Sequence, residues 1–173
     1  MAIDVFMKLV PPTTGGPPCE GESQDAVYKG WTELSSFDMG VENVATIGSK
    51  AGGAGAGKAN FKELSFTKAL DSLSPSLFHV CATGGHFPLV EVALRRAGGA
   101  KALEAYCRYE FKMVFVKGVD WDASSGDVPR ETVTLAYGAL RVTYSKQDST
   151  GKTLPGTSVA WSQVLNKPTF ETE

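Results

Sequence analysis

Apolar residues in this chain recur at every second position, and that period constrains the fold more than any other feature. Ile3, Val5, Met7 and Leu9 share one face of the opening segment, with Asp4 and Lys8 on the other. A period of two belongs to a half-buried β-strand, because successive side chains point to opposite sides of the pleat. The same pattern predicts strands around Val27, Trp31 and Phe37 in residues 26–37, and around Leu64, Phe66 and Leu70 in residues 61–70. It returns at Val90, Val92 and Leu94. Tyr109, Phe111, Met113 and Phe115 then line one face, with Arg108, Glu110 and Lys112 opposite. Val159, Trp161 and Leu165 make a last short strand. Within residues 132–144 the apolar parity switches: Val133, Leu135 and Tyr137 are odd, Leu140, Val142 and Tyr144 even. A one-residue phase change beside Gly138 predicts a β-bulge.

Only one segment follows helical spacing. Leu77, Val80 and Cys81 fall at i, i+3 and i+4. Ser74 is suited to cap the free N–H groups of the first turn, and Pro75 to occupy the first helical position. Thr83-Gly84-Gly85 ends the helix after roughly two turns, since glycine accepts the left-handed cap conformation. Polar or Pro/Gly-rich stretches at 11–22, 120–131 and 147–156 separate the strands. About seven or eight strands and one helix, without strand–helix alternation, give a mainly β fold: a compact antiparallel β-barrel or sandwich with one short α-helix on its side. A length of 173 residues suits a single domain spanning 1–173.

Charge excludes several function classes. Seventeen Lys and Arg against 19 Asp and Glu leave a net charge of -2, with no basic face for nucleic acid. The densest basic cluster, Arg95, Arg96 and Lys101, reads as an ordinary solvated strand end. No apolar run approaches the roughly 20 residues that span a bilayer, so membrane insertion is not expected. Asp4 and Lys8 interrupt the first apolar stretch, which therefore does not resemble a cleavable signal peptide. The chain is expected to fold in the cytoplasm and, if it leaves the cell, to use a route that reads no such signal. Three widely spaced cysteines, Cys19, Cys81 and Cys107, argue against a disulfide framework and read as small buried hydrophobes.

The candidate chemistry is sparse. Residues 47–57 read IGSKAGGAGAG, a stretch with almost nothing to bury, expected to be a mobile loop or one ordered by a partner. Gly52 to Lys58 fits the start of a phosphate-binding G-x-x-x-x-G-K loop. Ala59 stands where a Ser or Thr hydroxyl should hold magnesium, and a strand pattern follows where a helix should. His79, Cys81 and His86 lack a metal-ligand pattern. Asp120 and Asp122 are assigned to a turn, where solvated acids are routine. No G-x-S-x-G elbow occurs. The residues themselves point to no catalytic site, cofactor or metal, and stop short of a function.

Three segments resemble the hemolysin-coregulated tube proteins of type VI secretion. They are MAIDVFMKL; the run GKANFKELSFTKALDSLSPSLFHVCATGGHFPLVEVALRRAGG; and ETVTLAYGALRVTYS with the late VAWSQVLNKP. The resemblance covers nearly the whole chain. It departs in TTGGPPCEGES near the N-terminus, where family members are often shorter, and at Ala160-Trp161-Ser162, where the family often has Gly-Trp-Asn. The resemblance implies a β-barrel with a helix on its side, assembled as homohexameric rings stacked into a hollow tube. It implies a contractile sheath, a spike and secreted effectors as partners, export through the type VI apparatus, and no enzymatic activity. The chain ends soon after its last strand, so no fused toxin domain is expected.

Exposed sheet edges can pair between subunits, and a Gly/Ala loop can lie flat on a neighbour. Residues 44–58 are accordingly expected to contact an adjacent subunit or ring, with Val44, Ile47, Lys50, Gly52, Gly53, Gly55, Gly57 and Lys58 as interface candidates. Val159 and Trp161 are candidates for an interface strand. The rival readings are a bacteriophage-like tail tube subunit, a β-barrel binding a small ligand in its core, and a nucleotide hydrolase using Lys58. Inward-facing Phe111, Phe115 and Trp161 would fill a barrel interior and oppose the second of these.

Overall fold

A computed structural model describes residues 3–13, 15–46, 55–96, 104–148 and 153–173. Its elements run β1 (Ile3–Leu9), β2 (Thr32–Glu33), β3 (Ser36–Asp38), β4 (Val41–Thr46), β5 (Gly55–Phe61), β6 (Leu64–Ala69), α1 (Ser74–Thr83), β7 (His86–Arg96), β8 (Cys107–Asp122), β9 (Arg130–Tyr144) and β10 (Thr157–Ser162). Eight strands form one antiparallel sheet in the order β2-β1-β7-β8-β9-β6-β3, with β10 beside β6 on the free flank of β9. The sheet curls into a half-barrel. β4 and β5 form a separate two-stranded hairpin. The fold is thus mainly β with one short helix, as the period-two pattern predicts.

The main core lies inside the curl, under α1. Met7, Leu9, Leu64, Phe66, Phe87, Val90, Phe111, Val133 and Leu135 are buried there, and Leu77 and Val80 close it from the helix. A second, smaller cluster lies on the other face of β1 and β7, where Phe6 and Ala93 pack with Tyr28 and Ala105. β1 is therefore buried on both faces, although its alternation reads as one-sided.

The strand expected over residues 26–37 is not continuous. The carboxylate Oδ1 of Asp25 accepts from the N–H of Val27 at 2.9 Å and of Tyr28 at 3.1 Å. That local bond competes with a sheet ladder. Gly30 then turns at φ 75°, and strand resumes only as β2 and β3. The arrangement puts Tyr28 into the second cluster, stacked on Phe6 with ring centroids 4.5 Å apart.

Arg95 is held in the same place and is not a solvated strand end. Its guanidinium pairs with Asp4 at 2.9 Å and Asp25 at 2.7 Å, and lies over the rings of Phe6 and Tyr28. Arg96 lies over Tyr106. Lys101 is outside the described residues.

α1 begins differently from the expectation. Its N-cap is Leu73, which makes no side-chain cap, while Pro75 holds the expected early position. The Ser74 hydroxyl instead donates to Glu131 Oε1 at 2.7 Å. The C-terminal end matches: Gly84 has φ 68° and its N–H bonds to the Val80 carbonyl.

The parity switch in β9 occurs at Gly138, but without a bulge there. The pairs Lys112↔Ala139 and Val114↔Tyr137 set Gly138 opposite Met113, and Leu89↔Lys112 with Phe87↔Val114 sets Met113 opposite Pro88. All three strands change parity along this row. Phe87 and then Val90 face the core on β7, Phe111 and then Val114 on β8, Tyr137 and then Leu140 on β9. Because neighbours turn together, register is kept. Met113 makes the turn with φ 54°. The register shift lies instead between Val116 and Gly118, where Lys117 is the extra residue of β8. One consequence is that Met113 and Phe115, expected inward, face outward. Asp120 and Asp122 lie on β8 and not in a turn.

Candidate functional site

The segment expected to contact a neighbour is largely a β-hairpin. β4 and β5 pair from Val41↔Phe61 to Thr46↔Gly55, with an irregularity between Asn43 and Ala45. Asn43↔Ala59 and Ala45↔Ala56 leave Val44 facing two residues, Gly57 and Lys58, so the bulge is on β5. The Asn43 side chain steadies it by donating Nδ2–H to the Gly57 carbonyl at 2.8 Å. Of the interface candidates, Val44 and Gly55 lie on the hairpin strands, and Gly57 and Lys58 are exposed on β5. Ile47, Lys50, Gly52 and Gly53 lie outside the described residues. Because Lys58 sits inside a strand, the G-x-x-x-x-G-K match has no helix behind it to face a phosphate.

Val159 and Trp161 lie on β10, as expected of a last strand, whereas Leu165 falls in the turn after it. The fold brings this strand and the hairpin together. Between them runs an apolar groove of about 550 Å³, lined by Phe61, Leu140, Val142, Val159, Trp161 and Pro168 among others. Trp161 lines this surface groove and not a barrel interior. Among the described residues β10 pairs within the sheet with β9 alone, and apart from Ser162, which is bridged to Lys167, its outer flank is an open edge. Val159 is 65% exposed on that edge. An exposed salt bridge of 2.8 Å joins Lys62 and Glu42 at the hairpin base, and the hydrogen bond to Glu42 raises the Lys62 pKa.

A buried ionic centre escaped the sequence reading. Lys68 Nζ lies 2.6 Å from Asp71 Oδ1 and 2.8 Å from Glu131 Oε1, with the Lys68 and Glu131 side chains fully buried. Asp71 Oδ2 accepts from the Thr32 hydroxyl at 2.6 Å, and Glu131 Oε2 from the Trp121 indole at 3.0 Å. The cluster ties β2, β6, β8, β9 and the start of α1 together. Every charge faces an opposite charge or a donor, so it is built to hold elements rather than to react. A signal was present in the sequence: Lys68 shares the parity of Leu64 and Phe66, and Glu131 that of Val133 and Leu135.

Burial raises the pKa of the Cys19 and Cys107 thiols and disfavours the reactive thiolate. All three cysteines are free. Burial pushes Tyr109 and Tyr137 up to about 12, and the Tyr137 hydroxyl donates to the Lys62 carbonyl. His79 is exposed on α1 and His86 rests against Phe115. Among the described residues no three His, Cys, Asp or Glu side chains gather as metal ligands, and no helix is long and apolar enough to cross a membrane.

What the geometry offers is surface: open strand edges, a projecting hairpin and an apolar groove, on a filled half-barrel. These features define a β-sheet protein equipped to associate. Residues 6–144 match the sequence model of the family described as type VI secretion system effector, Hcp, and the chain belongs to that family. It is 37% identical over 95 residues to Protein hcp1 of Pseudomonas aeruginosa; the match covers 54% of this chain and 58% of that protein, little more than half of each. Among solved structures, it is similar to one described as a type six secretion system protein, with a TM-score of 0.86 and 32% identity over 97% of this chain and 100% of the other. The Hcp1 crystal structure from Salmonella typhimurium gives a TM-score of 0.73 and 27% identity, over 98% and 100% of the two chains.

Proposed function

We propose that this chain, as one tube domain over residues 1–173, is a structural subunit of the type VI secretion tube. Six copies join through their sheet edges into a ring, and rings stack into a hollow tube. The tube is driven by a contractile sheath, tipped by a spike, and carries effectors out of the cell. The role is assembly and not turnover. Family membership supports this reading. The observation that carries it is the open edge of β10 with Val159 exposed beside an apolar groove. An unpaired strand flank is a template for another chain, and an adjoining apolar surface adds burial to the backbone hydrogen bonds. The hairpin, with Val44, Gly57 and Lys58 on its strands, is assigned to contact with an adjacent subunit or ring.

The reading is tested by Val159→Asp, which charges the edge without touching the core. Purified protein is expected to form closed rings in negative stain, and the variant to remain a folded monomer. Rings of unchanged yield in the variant would remove β10 from the interface.

A further inference from the structure

The last residues of the chain lie across the outer face of the sheet, in a seat built along the Pro88–Met113–Gly138 row. After β10, Gln163 N–H bonds to the Gly138 carbonyl at 2.8 Å, and Ser162 N–H to the Lys167 carbonyl at 3.0 Å. Asn166 turns the chain at φ 50°. The Phe170 ring then sits against two cations, 4.4 Å from Arg141 Cζ and 4.9 Å from Lys112 Nζ. Glu171 pairs with Lys112 at 3.0 Å, and Arg141 is itself held by Glu110. Thr172 passes over Gly138, where the absent side chain makes room. Glu171, Thr172 and Glu173 end beside His86, Pro88 and Met113 around a cavity of about 490 Å³.

The strap is shaped to its seat yet weakly fastened. Among the described residues, no main-chain hydrogen bond ties residues 168–173 to the sheet; their backbone bonds are local, as from Thr169 N–H to the Lys167 carbonyl. The fastening is a half-exposed ion pair and cation–π contacts, which are worth little in water and exchange readily. The six residues beyond Lys167 reach at most about 20–22 Å when extended.

We propose that in the assembled protein this strap is exchanged: residues 168–173 of one copy occupy the Lys112–Arg141 seat of a second copy. The occupant follows from the structure, because the segment whose complementarity to the seat is displayed is the chain's own tail, and every copy offers an identical one. Exchange of an identical element costs little, since the same contacts are remade between copies. The inference rests on the ring reading above and adds a tie that locks neighbours after their edges have met.

The test mixes two variants of the full chain, Lys112→Cys and Glu171→Cys, under assembly conditions with a short bis-maleimide. Each variant alone and the unaltered chain control for Cys19, Cys81 and Cys107. Exchange predicts a crosslinked heterodimer in the mixture, absent from every control. Rings seen by microscopy without that heterodimer overturn the exchange and leave the ring reading intact. No rings under any condition overturn the ring reading itself. A double variant, Lys112→Cys with Glu171→Cys, gives the independent measurement: exchange yields a ladder of covalent multimers, whereas crosslinked monomers alone mean a strap closed on its own chain.

Discussion

The ammonium of Lys68 lies 2.8 Å from the carboxylate of Glu131, and solvent reaches neither side chain. Asp71 takes a second side of the ammonium, so the centre is a buried cation between two anions. Removing the cation leaves Glu131 charged and uncompensated. Lys68→Met is expected to destabilise the fold by roughly 3–5 kcal/mol, the range for breaking a buried pair. Lys68→Met with Glu131→Leu should recover part of that loss, because the fully buried carboxylate is gone while Asp71 keeps the Thr32 hydroxyl and some solvent. Denaturant unfolding of the two variants reads the difference, and equal losses would mean that the ion pair is not the organising contact.

Gly138 is where three strands change parity together and the tail crosses. A methyl group there would lie 3.1 Å from Thr172 Cγ2 and 3.2 Å from both Met113 Cβ and Val164 Cγ2. Two of those neighbours belong to the segment after β10. Gly138→Ala is expected to cost about 1–3 kcal/mol, as overpacking does, with faster hydrogen exchange after residue 162. A variant as stable as the parent would show that this row has slack.

Tyr109 and Tyr137 are raised to about 12, chiefly by burial, against an ordinary phenol near 10. The unfolded chain therefore loses these protons first as pH rises. Their contribution to stability is complete below pH of about 10 and is lost between about 10 and 12. Unfolding free energy measured across that window should fall, and Tyr137→Phe should flatten part of the fall. An unchanged slope in the variant would contradict the burial of the hydroxyl.

The hairpin gives a separate expectation. If β4 and β5 meet a neighbouring copy, amide exchange over residues 44–58 slows on assembly. Equal exchange in monomer and ring would leave the hairpin without a part in the contact.

Most strands were legible because their apolar residues alternate over a surface buried on one side. The legible part ended where that condition failed. β1 is buried on both faces, with Phe6, on the side of Asp4 and Lys8, filling the second cluster. Residues 26–37 carried strand-forming side chains, but the Asp25 carboxylate captured two backbone donors and broke the strand. The switch at Gly138 was visible as a phase change, whereas its sharing by Pro88 and Met113 depends on pairings between strands distant in sequence. Lys68 and Glu131 sat on inward parity, yet Glu131 fell at the end of the stretch assigned to a polar loop, and nothing local shows that each supplies the other's partner. In the candidate site, Val159 and Trp161 were assigned to the right strand. The groove they form with Phe61 and Leu140 is a product of tertiary packing.

Copies of this chain are proposed to close into rings through the β10 edge. Negative-stain microscopy of the purified chain beside Val159→Asp tests it most directly. Uniform six-membered annuli with an open centre from the parent, and folded monomers from the variant, are the predicted result. Isolated monomers of the parent at every concentration would contradict it.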